Sequence, residues 1–129
     1  MHKGFLKSGF LLAALSVAMG AFAAHGLKEY FNQNAINTFD TAVRYQFYHV
    51  FALLLTALLY KDFKNKSILI AGWLFIIGII LFSGSLYLLA IIQGMVQPGY
   101  KWVGAITPIG GIAFIAGWIL LFATMFKKR

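Results

Sequence analysis

Cysteine is missing from this chain, and acid is nearly so. Without cysteine, disulfides, thiol nucleophiles, thiolate metal sites and dithiol redox chemistry are all excluded. The acidic residues are Glu29, Asp40 and Asp62, and none falls inside an apolar block. That removes the intramembrane carboxylate on which proton-coupled carriers depend. A catalytic reading is left with Asp40 as its only nearby carboxylate. Charge of either sign is scarce: 11% of the 129 residues are charged and 61% are hydrophobic. A soluble domain of this length needs far more charge to cover its surface. One small domain is the natural count, with no repeat and no low-complexity segment.

What the sequence does have is apolar blocks. A hydrocarbon core about 30 Å thick takes about 20 apolar residues to cross as a helix. Blocks at about 5–24, 43–60, 68–92 and 104–126 meet or approach that length. They predict an all-α, four-transmembrane-helix antiparallel bundle. The formal charge of +8 is not a nucleic-acid signal, because the cations flank the blocks. There they orient helices and meet anionic headgroups. Lys3, Lys7, Lys61, Lys64, Lys66, Lys127, Lys128 and Arg129 fall on one side, and Lys28, Arg44 and Lys101 on the other. That asymmetry predicts both termini in the cytoplasm. The opening Met-His-Lys, apolar run and Ala21-Phe22-Ala23 also suit a secretory signal peptide. The run is at the long end for one, so it is expected to be retained as the first span.

The loop from His25 to Ala42 suits a short interfacial helix around Leu27, Tyr30 and Phe31, with Asn34 or Asn37 capping the next. Gly94, Pro98 and Gly99 predict a turn between the last two spans. Lipid-embedded helices associate through small residues and polar contacts. The stripes Ala13-Ser16-Gly20-Ala24 and Gly110-Gly111-Gly117, with Gly72 on the third span, supply them.

The polar residues are expected to gather toward the outer leaflet. His25 stands where the first span exits. Arg44, Tyr45, Gln46 and His49 fall in the first turns of the second span, which puts His49 roughly 6–9 Å below the surface. Ser83, Ser85 and Tyr87 occupy the outer half of the third span, and Thr107 the first turn of the fourth. Arg44 either pairs with Asp40 or snorkels to phosphate. Together these nine residues predict an outward-facing polar cluster, able to hold a lipid headgroup, water or a partner's polar group. The competing reading is a hydrogen-bond network that only fixes helix register. No catalytic or metal-binding residue is assigned. A haem held by His25 and His49 rests on a lone histidine pair, so no cofactor is expected. Membrane lipids are the expected partners, with a homo-oligomer or a second membrane protein also compatible. The class favoured by elimination is a non-enzymatic accessory or lipid-binding bundle. The alternative is a small-solute pore or carrier acting as an oligomer, which a continuous polar path to the Lys61–Lys66 loop would favour. An inner half blocked by Leu54, Leu55, Ile79 and Ile80 would oppose it.

Four ordered motifs carry a resemblance: Ala21-Phe22-Ala23-Ala24-His25-Gly26, Arg44-Tyr45-Gln46-Phe47-Tyr48-His49, Leu81-Phe82-Ser83-Gly84-Ser85-Leu86-Tyr87 and Thr107-Pro108-Ile109-Gly110-Gly111. With the trailing Ala116-Gly117-Trp118 they resemble the YwdK/YgdD family of small bacterial membrane proteins, to which a eukaryotic transmembrane group is also similar. Ala23 departs from the glycine frequent there. The resemblance implies four transmembrane helices in a bacterial cytoplasmic membrane and carries over no biochemical activity.

Overall fold

The computed structural model describes residues 1–95 and 101–127. Among them the architecture is all-helical. Helix α1 runs Lys3–His25, α2 Gln33–Leu59, α3 Lys66–Gly78, α4 Gly84–Gly94 and α5 Lys101–Thr124. A π turn at Ile79–Ser83 joins α3 and α4 into one rod, Lys66–Gly94. With α1, α2 and α5, this rod makes four helices long and apolar enough to cross a membrane among the described residues. Pro98, Gly99, Lys128 and Arg129 lie outside the described residues.

Helix starts are fixed by side-chain caps. Asn32 Oδ1 accepts from the Ala35 N–H at 2.9 Å, and Asn65 Oδ1 from the Ile68 N–H at 3.1 Å. Each satisfies a first-turn donor that the helix cannot. The cap of α2 is therefore Asn32, not Asn34 or Asn37, and α2 starts at Gln33 instead of near Val43. The early turns escape a hydropathy reading because Asn34, Asn37 and Asp40 share the exposed face while Ala35, Ile36 and Phe39 are buried. At 1.5 Å per residue the 27 residues of α2 reach about 40 Å, beyond the hydrocarbon thickness. The first turns thus stand clear of it. There Asn32 Nδ2 donates to the Gln93 carbonyl at 3.4 Å, and the Thr38 hydroxyl donates to Gln93 Oε1 at 2.9 Å. A 3-10 turn at Leu27–Glu29 tucks Leu27 against Ile36, Phe39 and Ala90.

At the other end His2 locks α1 into the bundle. Its N–H donates to the Ala57 carbonyl at 2.9 Å, and its Nδ1 accepts from the Phe5 N–H at 3.1 Å. The ring stacks on Phe5 at 3.9 Å. Helix α1 is an integral wall of this fold.

Helix α2 lies between α1 and the α3–α4 rod, and α5 lies against the rod. Phe5, Val50, Leu53, Ile68, Phe75, Ile79, Phe114 and Leu121 fill the interior. Small residues set the spacing. A Cβ on Gly72 would enter the Phe5 ring, one on Gly78 the Phe114 ring, and one on Gly110 the backbone of Phe82. The outer surface is apolar: Leu11, Ile80, Ile112 and Phe122 are each more than 60% exposed. Such a surface is stable only in hydrocarbon, where every backbone polar group must be bonded internally.

Candidate functional site

The polar residues of the spans form four small closures and not one shared pocket. In the first, Tyr87 donates its hydroxyl to Gln46 Oε1 at 2.6 Å, and Gln46 Nε2 donates to the Leu12 carbonyl at 3.2 Å. The Ser16 hydroxyl donates to the same carbonyl at 2.8 Å. Two spans therefore meet at one main-chain oxygen, and Tyr87 joins the third to it through Gln46.

In the second, His49 sits 5% exposed between α2 and α5. Its Nδ1 lies 2.8 Å from the Tyr45 carbonyl, and Trp118 Nε1 lies 3.1 Å from its Nε2. An indole N–H only donates. Nε2 must then accept, so the ring proton sits on Nδ1 and bonds Tyr45 O. The imidazole is neutral in this arrangement and both nitrogens are used. The Phe114 ring covers its face at 3.4 Å and 7°.

The remaining two closures frame the π turn. Ser83 donates to the Ala42 carbonyl at 2.8 Å, tying the rod to α2. Ser85 donates to the Phe82 carbonyl at 2.9 Å. With that proton committed, the Thr107 hydroxyl donates to Ser85 Oγ at 2.6 Å. The π turn pairs Gly84 N–H with Ile79 O, five residues back, which disturbs the usual ladder. The serines supply replacement bonds beside it. Pro108, inside α5, removes one backbone donor at the neighbouring level of that helix.

The structure thus brings together Gln46 with Tyr87, His49 with the Tyr45 main chain, and Ser85 with Thr107. It does not bring in His25 or Arg44. Both are exposed, and among the described residues Arg44 forms no ion pair with Asp40. The Tyr45 phenol ring is 37% exposed and lies against Phe82 and Tyr48. Depth also differs from expectation. Gln46 meets Leu12, near the middle of α1, and His49 meets Trp118, in the C-terminal half of α5, toward the end of the bundle that carries Lys61–Lys66. The network reaches the middle of the bundle because α2 begins well before its apolar part. Every buried side-chain nitrogen and oxygen among the described residues has a partner.

Two features were not expected from sequence: Trp118 as the partner of His49, and the Leu12 carbonyl as an acceptor. The inner half is filled, in part by the expected residues, since Ile79 is buried and Leu54 packs against the core. Leu53, Ile68 and Phe75 are fully buried and Ile79 nearly so, whereas Leu55 and Ile80 face outward at 44% and 63% exposure.

A concavity adjoins the Gln46–Tyr87 closure. An open groove of about 330 Å³ runs between α1 and the rod, lined by Leu12, Leu15, Met19, Ile79, Ile80 and Gly84, with Gln46 and Tyr87 also in its wall. Groups of three or more His, Cys, Asp or Glu placed for a metal do not occur among the described residues.

Comparison with known proteins follows the same outline. The family model DUF423, described as a protein of unknown function, matches residues 19–111. A UPF0382 membrane protein of Staphylococcus haemolyticus is 40% identical over 125 residues, covering 97% of each chain. The UPF0382 membrane protein YwdK of Bacillus subtilis is 40% identical over 126 residues, covering 97% of this chain and 98% of its own. A UPF0382 membrane protein of Haemophilus influenzae is 44% identical over 130 residues, covering 96% and 98%. No solved structure matches the chain.

Proposed function

The chain belongs to the DUF423 family of membrane proteins, and we propose that it serves as a lipid-binding accessory bundle of the bacterial cytoplasmic membrane, with both termini on the cytoplasmic side. The observation that carries this reading is the groove of about 330 Å³ between α1 and the rod. Its lining runs from Met19 and Tyr87 inward to Leu12 and Ile79. That is a path for one acyl chain from the outer leaflet toward the midplane. Gln46 and Tyr87 hold each other, so the groove wall keeps its shape and asks for no charge from its tenant. Activity as an enzyme has no comparable support, since both ring nitrogens of His49 and the hydroxyls of Ser83 and Ser85 are spent on helix contacts. A conduit has none either, since Leu53, Ile68 and Phe75 occupy the interior beyond the network.

Gly84 supplies the test, because a Cβ there meets nothing within 4 Å. Gly84→Leu puts a side chain into the groove without disturbing the bundle. Native mass spectrometry of protein released from membranes is expected to show one fewer tightly retained lipid per chain in Gly84→Leu than in the unaltered protein. Equal lipid retention by both proteins would sink the reading.

A further inference from the structure

A second groove differs from the first in the cations that follow its helices. It has a volume of about 260 Å³, lies between α2 and α5, and is lined by Leu55, Leu59, Trp118, Leu121, Phe122 and Met125. It belongs to the lysine-rich half of the bundle. Each lining helix is followed by a cation: Lys61 comes two residues after Leu59, and Lys127 two after Met125. Both lysines are exposed. The Lys127 ammonium donates to Ser67 Oγ at 2.7 Å, which uses one of its three hydrogens. Neither groove has a charged residue in its lining, so what sets the second apart is the pair of lysines just beyond its two helices. From this charge complementarity we infer that the α2–α5 groove seats an acyl chain of an anionic phospholipid whose phosphate is held by Lys61 and Lys127.

The chemistry follows from the two ends of the site. The apolar walls take hydrocarbon of the leaflet facing the lysine-rich end. An ammonium on a flexible stem meets phosphate as a point charge without fixed geometry. Trp118 gives the groove a reporter. It is 43% exposed in the wall, while its indole N–H is anchored to His49. The ring therefore has a fixed place beside the bound chain.

The test uses that ring. The chain has three tryptophans, and Trp73→Phe with Trp102→Phe leaves Trp118 alone. The protein is reconstituted in phosphatidylcholine vesicles with a small fraction of brominated lipid, either phosphatidylglycerol or phosphatidylcholine with the same chains. The brominated phosphatidylglycerol is expected to quench Trp118 with a preference on the order of tenfold over its zwitterionic counterpart. Lys61→Gln with Lys127→Gln abolishes that preference. Lys64→Gln with Lys66→Gln, which removes equal charge from the same end, preserves it. Gly84→Leu also preserves it, so this site and the α1 groove fail separately. Equal quenching by the two lipids, or a preference that survives loss of Lys61 and Lys127, overturns the inference. If the reporter background does not fold, native mass spectrometry of the otherwise unaltered chain and its Lys61/Lys127 variant reads the same preference from bound-lipid masses, with the same two results overturning it.

Discussion

The indole N–H of Trp118 donates to Nε2 of His49 across 69 positions of sequence, at 3.1 Å. This bond fixes the tautomer of the imidazole and joins α5 to α2 at a level where Phe114 closes the other face of the ring. In Trp118→Phe the ring contact survives and the donor does not, leaving Nε2 buried without a partner. Interhelical hydrogen bonds in bilayers contribute modestly, so the loss should be about 0.5–2 kcal/mol. Thermal unfolding in a fixed detergent measures it. The same bond predicts the nitrogen NMR signature of a neutral imidazole protonated at Nδ1. A spectrum showing the proton on Nε2 would refute the assignment.

Gln46 and Tyr87 form a second long-range pair, and removing one member strands the other. Tyr87→Phe leaves Oε1 of Gln46 without its donor, and Gln46→Leu leaves the phenol without its acceptor. The double variant strands neither on the other's account. Its destabilisation should fall short of the summed single losses by about 0.6–1.7 kcal/mol. Strict additivity in the unfolding series would mean that the bond contributes nothing.

How far the sequence discloses this molecule depends on which physical signal a residue leaves. Apolar runs register directly in hydropathy, so four spans are legible, and so is the family through its four motifs. The small-residue stripes are legible as well: Gly72, Gly110 and Gly117 each face an aromatic ring or backbone. The early turns of α2 are not, since asparagines on one face hide Ile36 and Phe39 on the other. Trp118 is also hidden, because a hydropathy scale records an indole as bulk and not as a donor. A main-chain acceptor such as the Leu12 carbonyl leaves no mark in sequence at all. The nine polar residues look like one cluster when sorted by position along their spans. Rotation about each helix axis then separates them, sending Arg44 and His25 to the surface and Gln46 and His49 inward.

Two glycines beside the π segment, Gly84 directly after it and Gly110 against it from α5, should respond oppositely to a methyl group. At Gly110 the added carbon would collide with the Phe82 main chain, which cannot yield as a side-chain tip can, whereas at Gly84 it meets open space. Gly110→Ala is expected to destabilise by about 1–3 kcal/mol through overpacking. Gly84→Ala should be neutral or slightly favourable, since alanine is the better helix former. Parallel thermal melts decide it. Equal melting temperatures for the two variants would remove the close approach of α5 to the π turn from the account.

Orientation rests on the unequal distribution of lysine and arginine, and the lack of cysteine makes it unusually easy to check. Any introduced thiol is the only one in the chain. Lys28 and Lys64 are both exposed and lie at opposite ends of the bundle. Lysine-rich loops are retained on the cytoplasmic side during insertion. Lys28→Cys should therefore react with a membrane-impermeant maleimide on intact cells, and Lys64→Cys only after the membrane is opened. Neither substitution reverses the charge imbalance, so neither should flip the protein. The reverse pattern would move the Lys61–Lys127 groove to the external leaflet. The anionic lipid would then have to be sought on that side, and the proposed cytoplasmic placement of the termini would be wrong.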